Sequence, residues 1–333
     1  MRCVYCRQED VQTSDAHLFP DAIGGVTAAR DTVCVGCNSL VNTRVENSAL
    51  PSFSYFRAVW GIQGRRRRPV RVRAILRAGN RELEGVLNER GEPNRGAFVQ
   101  KRVRPDGRIE FSIFGEPEAV EARRREIVER YPDLKWEDFN EAMELEVEVP
   151  FELDLAGPTL RRLAAKVAFE RCAQRWGAQF MCAAEFDVVR NFVLDGTEPP
   201  VVCGVLADAD LLDGSFNFAL PNHAVYLNAH QASPILGAVV GFFSLFYYWV
   251  LISQRFTGLG QTDDLLLEHA QAGLVERPLL RGRTGDLVLP WSRLLDPYMK
   301  EPAVAVRWAA RYAVKKLGRA ADEYYGRTAQ AIE

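Results

Sequence analysis

The sequence predicts an α+β protein in which a small cysteine-stapled N-terminal module precedes a larger mixed body. Three observations carry that expectation. Two CxxC pairs, Cys3/Cys6 and Cys34/Cys37, bracket the first 40 residues. Strand-like alternation and helix-like runs then succeed one another without a repeating order, and a length of 333 residues exceeds what one core usually serves.

The first 50 residues are rich in Cys, Gly, Asp, Asn and Ser and poor in large aliphatics. Such a segment cannot bury enough apolar surface to fold unaided, so a metal staple is expected. Residues 51–135 read as a basic, β-rich region, and residues 136–333 as an α+β body whose role the residues do not state. PVRVRAIL (69–76) alternates apolar and basic residues, as a strand with one positive face does. Residues 97–103 and 108–114 flank Pro105-Asp106-Gly107 and predict a hairpin.

Pro117 to Arg130 predicts a helix, with Pro117 suited to its first turn and Tyr131-Pro132 to its end. Residues 144–155 alternate again. Pro158 to Trp176 predicts an amphipathic helix with Leu160, Leu163, Ala164, Val167 and Ala168 on its buried side. A short helix follows at 186–194, strands at 201–206, 216–220 and 224–227, then a loop-rich tail and a helix from Pro302 to about Tyr325.

The run from Ile235 to Ile252 is apolar for 18 residues except at Ser244. Its length reaches the minimum for a spanning helix, but Gly237, Gly241 and the aromatic and β-branched content suit two buried strands better. No membrane partner is expected.

Net charge is -2, yet the signs are unevenly spread. Between Phe56 and Arg130 there are 19 Lys/Arg against 11 Asp/Glu, so the rest of the chain is acidic. Arg65, Arg66, Arg67, Arg68, Arg71 and Arg73 form the densest positive cluster, with Lys101, Arg102 and Arg104 as an extension. Guanidinium groups match phosphates in bidentate fashion, so this region is the expected DNA contact.

Seven cysteines, an odd number, with paired CxxC spacing disfavour a secreted disulfide framework. They favour a reducing compartment, hence a cytoplasmic location, and thiolates held by metal. No signal peptide fits the polar start. Four thiolates in two knuckles 27 residues apart can close a tetrahedron, and zinc is the default ion for that donor set. Such a site has no open position, so this zinc holds shape and catalyses nothing. Cys172, Cys182 and Cys203 read as buried thiols.

CVYC, SDAHLFPDAIGG and VCVGCNSLVNTRVE, in that order, resemble the HNH endonuclease family over residues 3–46. That resemblance implies a ββα-metal fold around one catalytic ion, Mg²⁺ or Mn²⁺, distinct from the zinc. His17 matches the general base, a role that suits imidazole near neutral pH. Asn42 matches a metal-binding helix position, and Asn38 matches the residue that orients the site. Pro20 and Gly24-Gly25 match the turn after the base.

Two positions depart from the pattern. Ala16 stands directly before His17, where many members carry a metal-binding acid or His, with Asp15 displaced by one residue, and the Asn that commonly precedes the second cysteine pair has no clear match, Asp31 being the nearest polar candidate. Glu46 reads either as a further ligand or as a solvated helix carboxylate. The expected function is metal-dependent hydrolysis of phosphodiester bonds in DNA, with defence against foreign DNA as a context by family analogy. Two alternatives stand beside it. One is a non-catalytic zinc-ribbon adaptor for nucleic acid or protein; the other is an effector subunit awaiting a protein partner or a second copy.

Overall fold

The computed structural model describes residues 1–64, 70, 72–78, 81–87, 98–114, 117–135, 146–148, 153–197, 202–206, 221–229, 234–256, 262–270, 303 and 305–316. The chain divides into two compact units. One comprises Met1–Phe53, Gly64–Arg66 and Leu153–Glu333; the other comprises Ser54–Gln63 and Arg67–Glu152. The α+β class holds, with antiparallel sheets and helices in the same chain.

From the N-terminus, β1 (Ala16–His17) and β2 (Ala28–Ala29) form a short antiparallel hairpin, and α1 (Val35–Val41) follows. This is the ββα order expected of the first 50 residues. The helix continues through a π turn at Asn42–Glu46, where the Asn47 N–H reaches back five residues to the Asn42 carbonyl. It then runs into α2 (Asn47–Ala49) and a 3-10 turn at Leu50–Phe53. A π turn inside a helix shifts the facing of everything after it and is frequent where a site is built.

The second unit holds α3 (Ser54–Val59), β3 (Val72–Ala78), β4 (Arg81–Leu87), β5 (Phe98–Val103), β6 (Ile109–Phe114), α4 (Pro117–Arg130) and β7 (Glu146–Glu148). β3 lies between β4 and β7, and β5 pairs with β6 across the Arg104–Arg108 turn. The alternation in PVRVRAIL is realised: Val72 and Ala74 are buried with Val70, Leu87 and Ala58, while Arg73 is exposed.

After the insertion come α5 (Pro158–Trp176), α6 (Ala178–Met181), α7 (Asp187–Asp195), β8 (Cys203–Val205), β9 (Asn222–Ala229), β10 (Leu236–Phe242), β11 (Phe246–Ser253), β12 (Thr262–His269) and α8 at residues 305–316. Strands order as β12-β9-β10-β11-β8, all antiparallel. The apolar run is therefore the β10–β11 hairpin, buried along its whole length. Among the described residues, no helix is long and apolar enough to cross a membrane.

Helix α5 starts at Pro158 and ends at Trp176, but the one-sided amphipathic expectation is corrected. Arg161, Lys166 and Glu170 are buried together with Leu160, Leu163, Val167, Phe169 and Cys172. The helix runs through the interior between the sheet and the N-terminal segment, so it is covered on most sides. Each large apolar side chain buried there contributes about 1.5–3 kcal/mol relative to exposure. The three charged ones need partners inside the protein.

The sheet also grips the loop between β1 and β2. The Glu268 carboxylate accepts from the N–H groups of Val26 and Thr27 at 3.2 and 3.0 Å. His223 Nδ1 accepts from the Phe243 N–H at 3.3 Å, which leaves the proton on Nε2 to be donated to the Ile23 carbonyl at 2.8 Å. Gly24 has φ +94°, and a Cβ there would overlap the Ala270 carbonyl, so glycine is required on two counts. The tail between β11 and α8, read from sequence as loop, contains β12.

The strand expected at 216–220 lies outside the described residues.

Candidate functional site

The first knuckle is a tight turn in which the Arg7 N–H bonds the Cys3 carbonyl at 2.9 Å. The second is the start of α1, where Cys34 is the N-cap and its sulfur accepts from the Cys37 N–H at 3.4 Å. The Cys34 N–H in turn points at the Cys3 sulfur, also at 3.4 Å, and the sulfurs of Cys6 and Cys34 are 3.9 Å apart. All four sulfur atoms lie within 4.8 Å of one another.

A tetrahedral zinc with Zn–S bonds of about 2.3 Å sets its sulfurs roughly 3.8 Å apart, so the donor set and the spacing both fit that ion. Burial raises Cys3 to about 11, against the lowering effect of the N–H groups aimed at it. Burial and the neighbouring sulfurs Cys3, Cys34 and Cys6 raise Cys37 well above the ordinary thiol range. Burial also raises Cys34, but hydrogen bonds from Cys37, Cys3 and Cys6 outweigh it and leave that thiol lowered. Loading a metal must displace these protons, so its affinity falls with acidity.

Along the hairpin the burial alternates. Asp15 is exposed, Ala16 is 1% exposed, His17 is half-buried and Leu18 is fully buried. In extended chain, residues two apart share a face. The position directly before His17 thus points into the core, where alanine fits and a ligand would be wasted. The carboxylate that shares the His17 face is Asp15.

Asn38 is half-buried within α1, its N–H bonded to the Cys34 carbonyl at 2.9 Å. Asn42 is exposed and opens the π turn. The two asparagines are four residues apart and so lie on one side of the helix.

Residues 3–54 match the HNH endonuclease family. That match points to a nuclease-type function on a nucleic-acid substrate, and the four cysteines within it cluster as a possible metal site. No curated protein and no solved structure matches the chain. Of the expected DNA-contacting residues, Arg73 is exposed on β3, and Arg65, Arg66, Arg67, Arg68 and Arg71 lie outside the described residues.

The HNH segment is underpinned by a buried polar network that the motif does not contain. The Lys166 ammonium, 0% exposed, is 2.9 Å from Glu46 and 3.0 Å from Glu170. It also donates to the backbone carbonyls of His17 and Leu18, the latter at 2.8 Å. Tyr5, inside the first knuckle, donates its hydroxyl to Glu170 at 2.9 Å. Glu46 is therefore an ion-pair partner with a side chain 13% exposed, which corrects its reading as a solvated carboxylate.

Two carboxylates compete here for one ammonium. Burial would lower Lys166, but Glu170 and Glu46 outweigh it and keep the lysine charged. Burial raises Glu170 to about 7; Lys166 opposes that rise and Glu46 adds to it.

A folded value above the ordinary 4.5 means that the native protein binds more protons than the unfolded chain between pH 4.5 and about 7. The contribution of Glu170 is fully present below pH 4.5 and is lost as pH rises through about 7. Urea unfolding should accordingly show a decline across this window of at most about 3 kcal/mol from this group. Glu170→Gln should flatten that part of the profile; an unchanged slope would contradict the assignment.

Proposed function

We propose that the protein is a metal-dependent HNH-type DNA endonuclease that hydrolyses phosphodiester bonds. The observation that supports this best is a hairpin, pinned by four sulfurs, that carries exposed Asp15 and half-buried His17 inside the segment that matches the family. His17 takes a proton from the attacking water as general base. Asp15 and Asn42 would hold the catalytic ion, and Asn38 would orient the site. A divalent ion bound there, Mg²⁺ or Mn²⁺, would supply polarisation of the scissile phosphate and stabilisation of the leaving oxygen.

Among the described residues, no second group of three or more His, Cys, Asp or Glu converges as the cysteines do. Few protein ligands suit a hard ion that keeps several waters and borrows substrate phosphate oxygens. Cytoplasmic action against foreign DNA, with a protein partner or a second copy as activator, belongs to the same proposal.

DNA is held by the basic region: Arg65, Arg66, Arg67, Arg68, Arg71 and Arg73, joined by Lys101 and Arg102, which are exposed on β5. Arg104 pairs with Glu110 and is less available. Lys101→Ala with Arg102→Ala should weaken binding similarly for unrelated sequences and lower the slope of log K against log salt by about 2. A sequence-selective loss would contradict a phosphate role.

Nicking of supercoiled plasmid in Mg²⁺ or Mn²⁺ by the wild type, beside His17→Ala, tests the proposal. Nicking that disappears in the variant is expected. Equal activity in both would contradict His17 as the base; none in either, with salt-sensitive DNA binding retained, would contradict the nuclease and favour the adaptor or an effector awaiting its partner.

A further inference from the structure

We propose that Lys166, more than a hundred residues beyond the HNH segment, is the positioning residue of the catalytic hairpin; this rests on the nuclease reading above. Its ammonium bridges the two halves of the ββα module. It donates to the carbonyls of His17 and Leu18 on the β1 side and pairs with Glu46 in the π turn. Those two halves carry Asp15 and His17 on one side, Asn38 and Asn42 on the other.

The neighbouring turns of α5 extend the same contact line. Lys166, Glu170 and Gln174 are spaced by four and share one helix face. Glu170 receives the hydroxyl of Tyr5 from the first knuckle. Gln174 donates to the carbonyl of Ala28 at 2.7 Å, and Ala28 is the strand partner of His17. One helix stripe thus touches the knuckle, both strands of the hairpin and the helix of the metal-binding half.

Backbone carbonyls tied to a buried ammonium cannot drift without leaving that charge unpaired. The tether consequently fixes the separation between the imidazole and the helix asparagines. Lys166 touches neither substrate nor catalytic ion, so it acts through His17 and Glu46.

Removing the ammonium alone would strand two carboxylates. The informative comparison is therefore the double variant Lys166→Met/Glu170→Gln against Glu170→Gln, in the full chain with zinc bound. Glu170→Gln should nick plasmid within about threefold of the wild type. The double variant should lose roughly 10²-fold in kcat with KM for DNA unchanged, since misplacement by about an ångström costs that much.

Hydrogen exchange supplies a readout that needs no activity. The Leu18 N–H bonds the Thr27 carbonyl at 2.8 Å across the hairpin. Its exchange should quicken by at least about tenfold in the double variant, while amides of β9 and β10 stay protected. Unchanged kcat and unchanged Leu18 exchange would overturn the proposal. So would faster exchange throughout the sheet, which marks general destabilisation. If wild type and His17→Ala are both silent on plasmid, the nuclease reading fails, and the Leu18 amide still decides whether Lys166 holds the hairpin.

Discussion

His17→Ala is expected to slow metal-dependent nicking by roughly 10²–10⁴-fold, the usual contribution of a positioned general base. The effect should appear in kcat, because the imidazole accepts its proton only as water attacks. DNA affinity measured without divalent ion and the zinc content should both remain at wild-type values. A smaller loss is expected for Asp15→Asn, which keeps an oxygen donor but removes its charge; raising Mn²⁺ should partly restore its rate.

Loss of the four-sulfur site comes next in size. Structural zinc supplies about 10–16 kcal/mol in isolated finger peptides, where no other core exists. Here the first knuckle is also anchored from the body: Arg190 Nε donates to the Val4 carbonyl at 2.8 Å, and the Cys182 thiol to the Cys3 carbonyl at 3.5 Å. Part of the fold should consequently survive. Cys37→Ser is expected to cost about 5 kcal/mol or more in chemical unfolding, with hydrogen-exchange protection lost over residues 1–53 and kept in β9, β10 and β11. Zinc stoichiometry should fall from one per chain. Full retention of zinc and stability in that variant would contradict a four-cysteine site.

Much of this was legible because it depends on short-range rules. The CxxC spacing announced the four-cysteine cluster, and Pro117 and Pro158 marked the first turns of α4 and α5. Gly237 and Gly241 argued for strands in the apolar run, which is the β10–β11 hairpin. What escaped was long-range. β12 reads as a polar tail because it carries Asp263, Asp264 and Glu268, yet Asp264 pairs with Arg171 at 2.8 Å and Glu268 caps the loop before β2.

Lys166 and Glu170 look like an ordinary surface pair at helical spacing. Their partners, the carbonyls of residues 17 and 18 and the hydroxyl of Tyr5, lie about 150 positions away and leave no local trace. The one available signal was the density of apolar residues from Leu163 to Ala173, too high for either charge to reach solvent. Ala16, where many members of the family carry a ligand, is buried, and the exposed carboxylate of Asp15 stands one residue before it.

The decisive measurement is anomalous diffraction from crystals of the protein grown with Mn²⁺ and a short DNA duplex, recorded at the zinc and manganese edges. Zinc signal enclosed by Cys3, Cys6, Cys34 and Cys37, and separate manganese signal between the Asp15–His17 face and a phosphate, is the expected result. Manganese found only among the sulfurs, or bound with the His17 ring turned away from both ion and phosphate, would contradict a catalytic role for this hairpin.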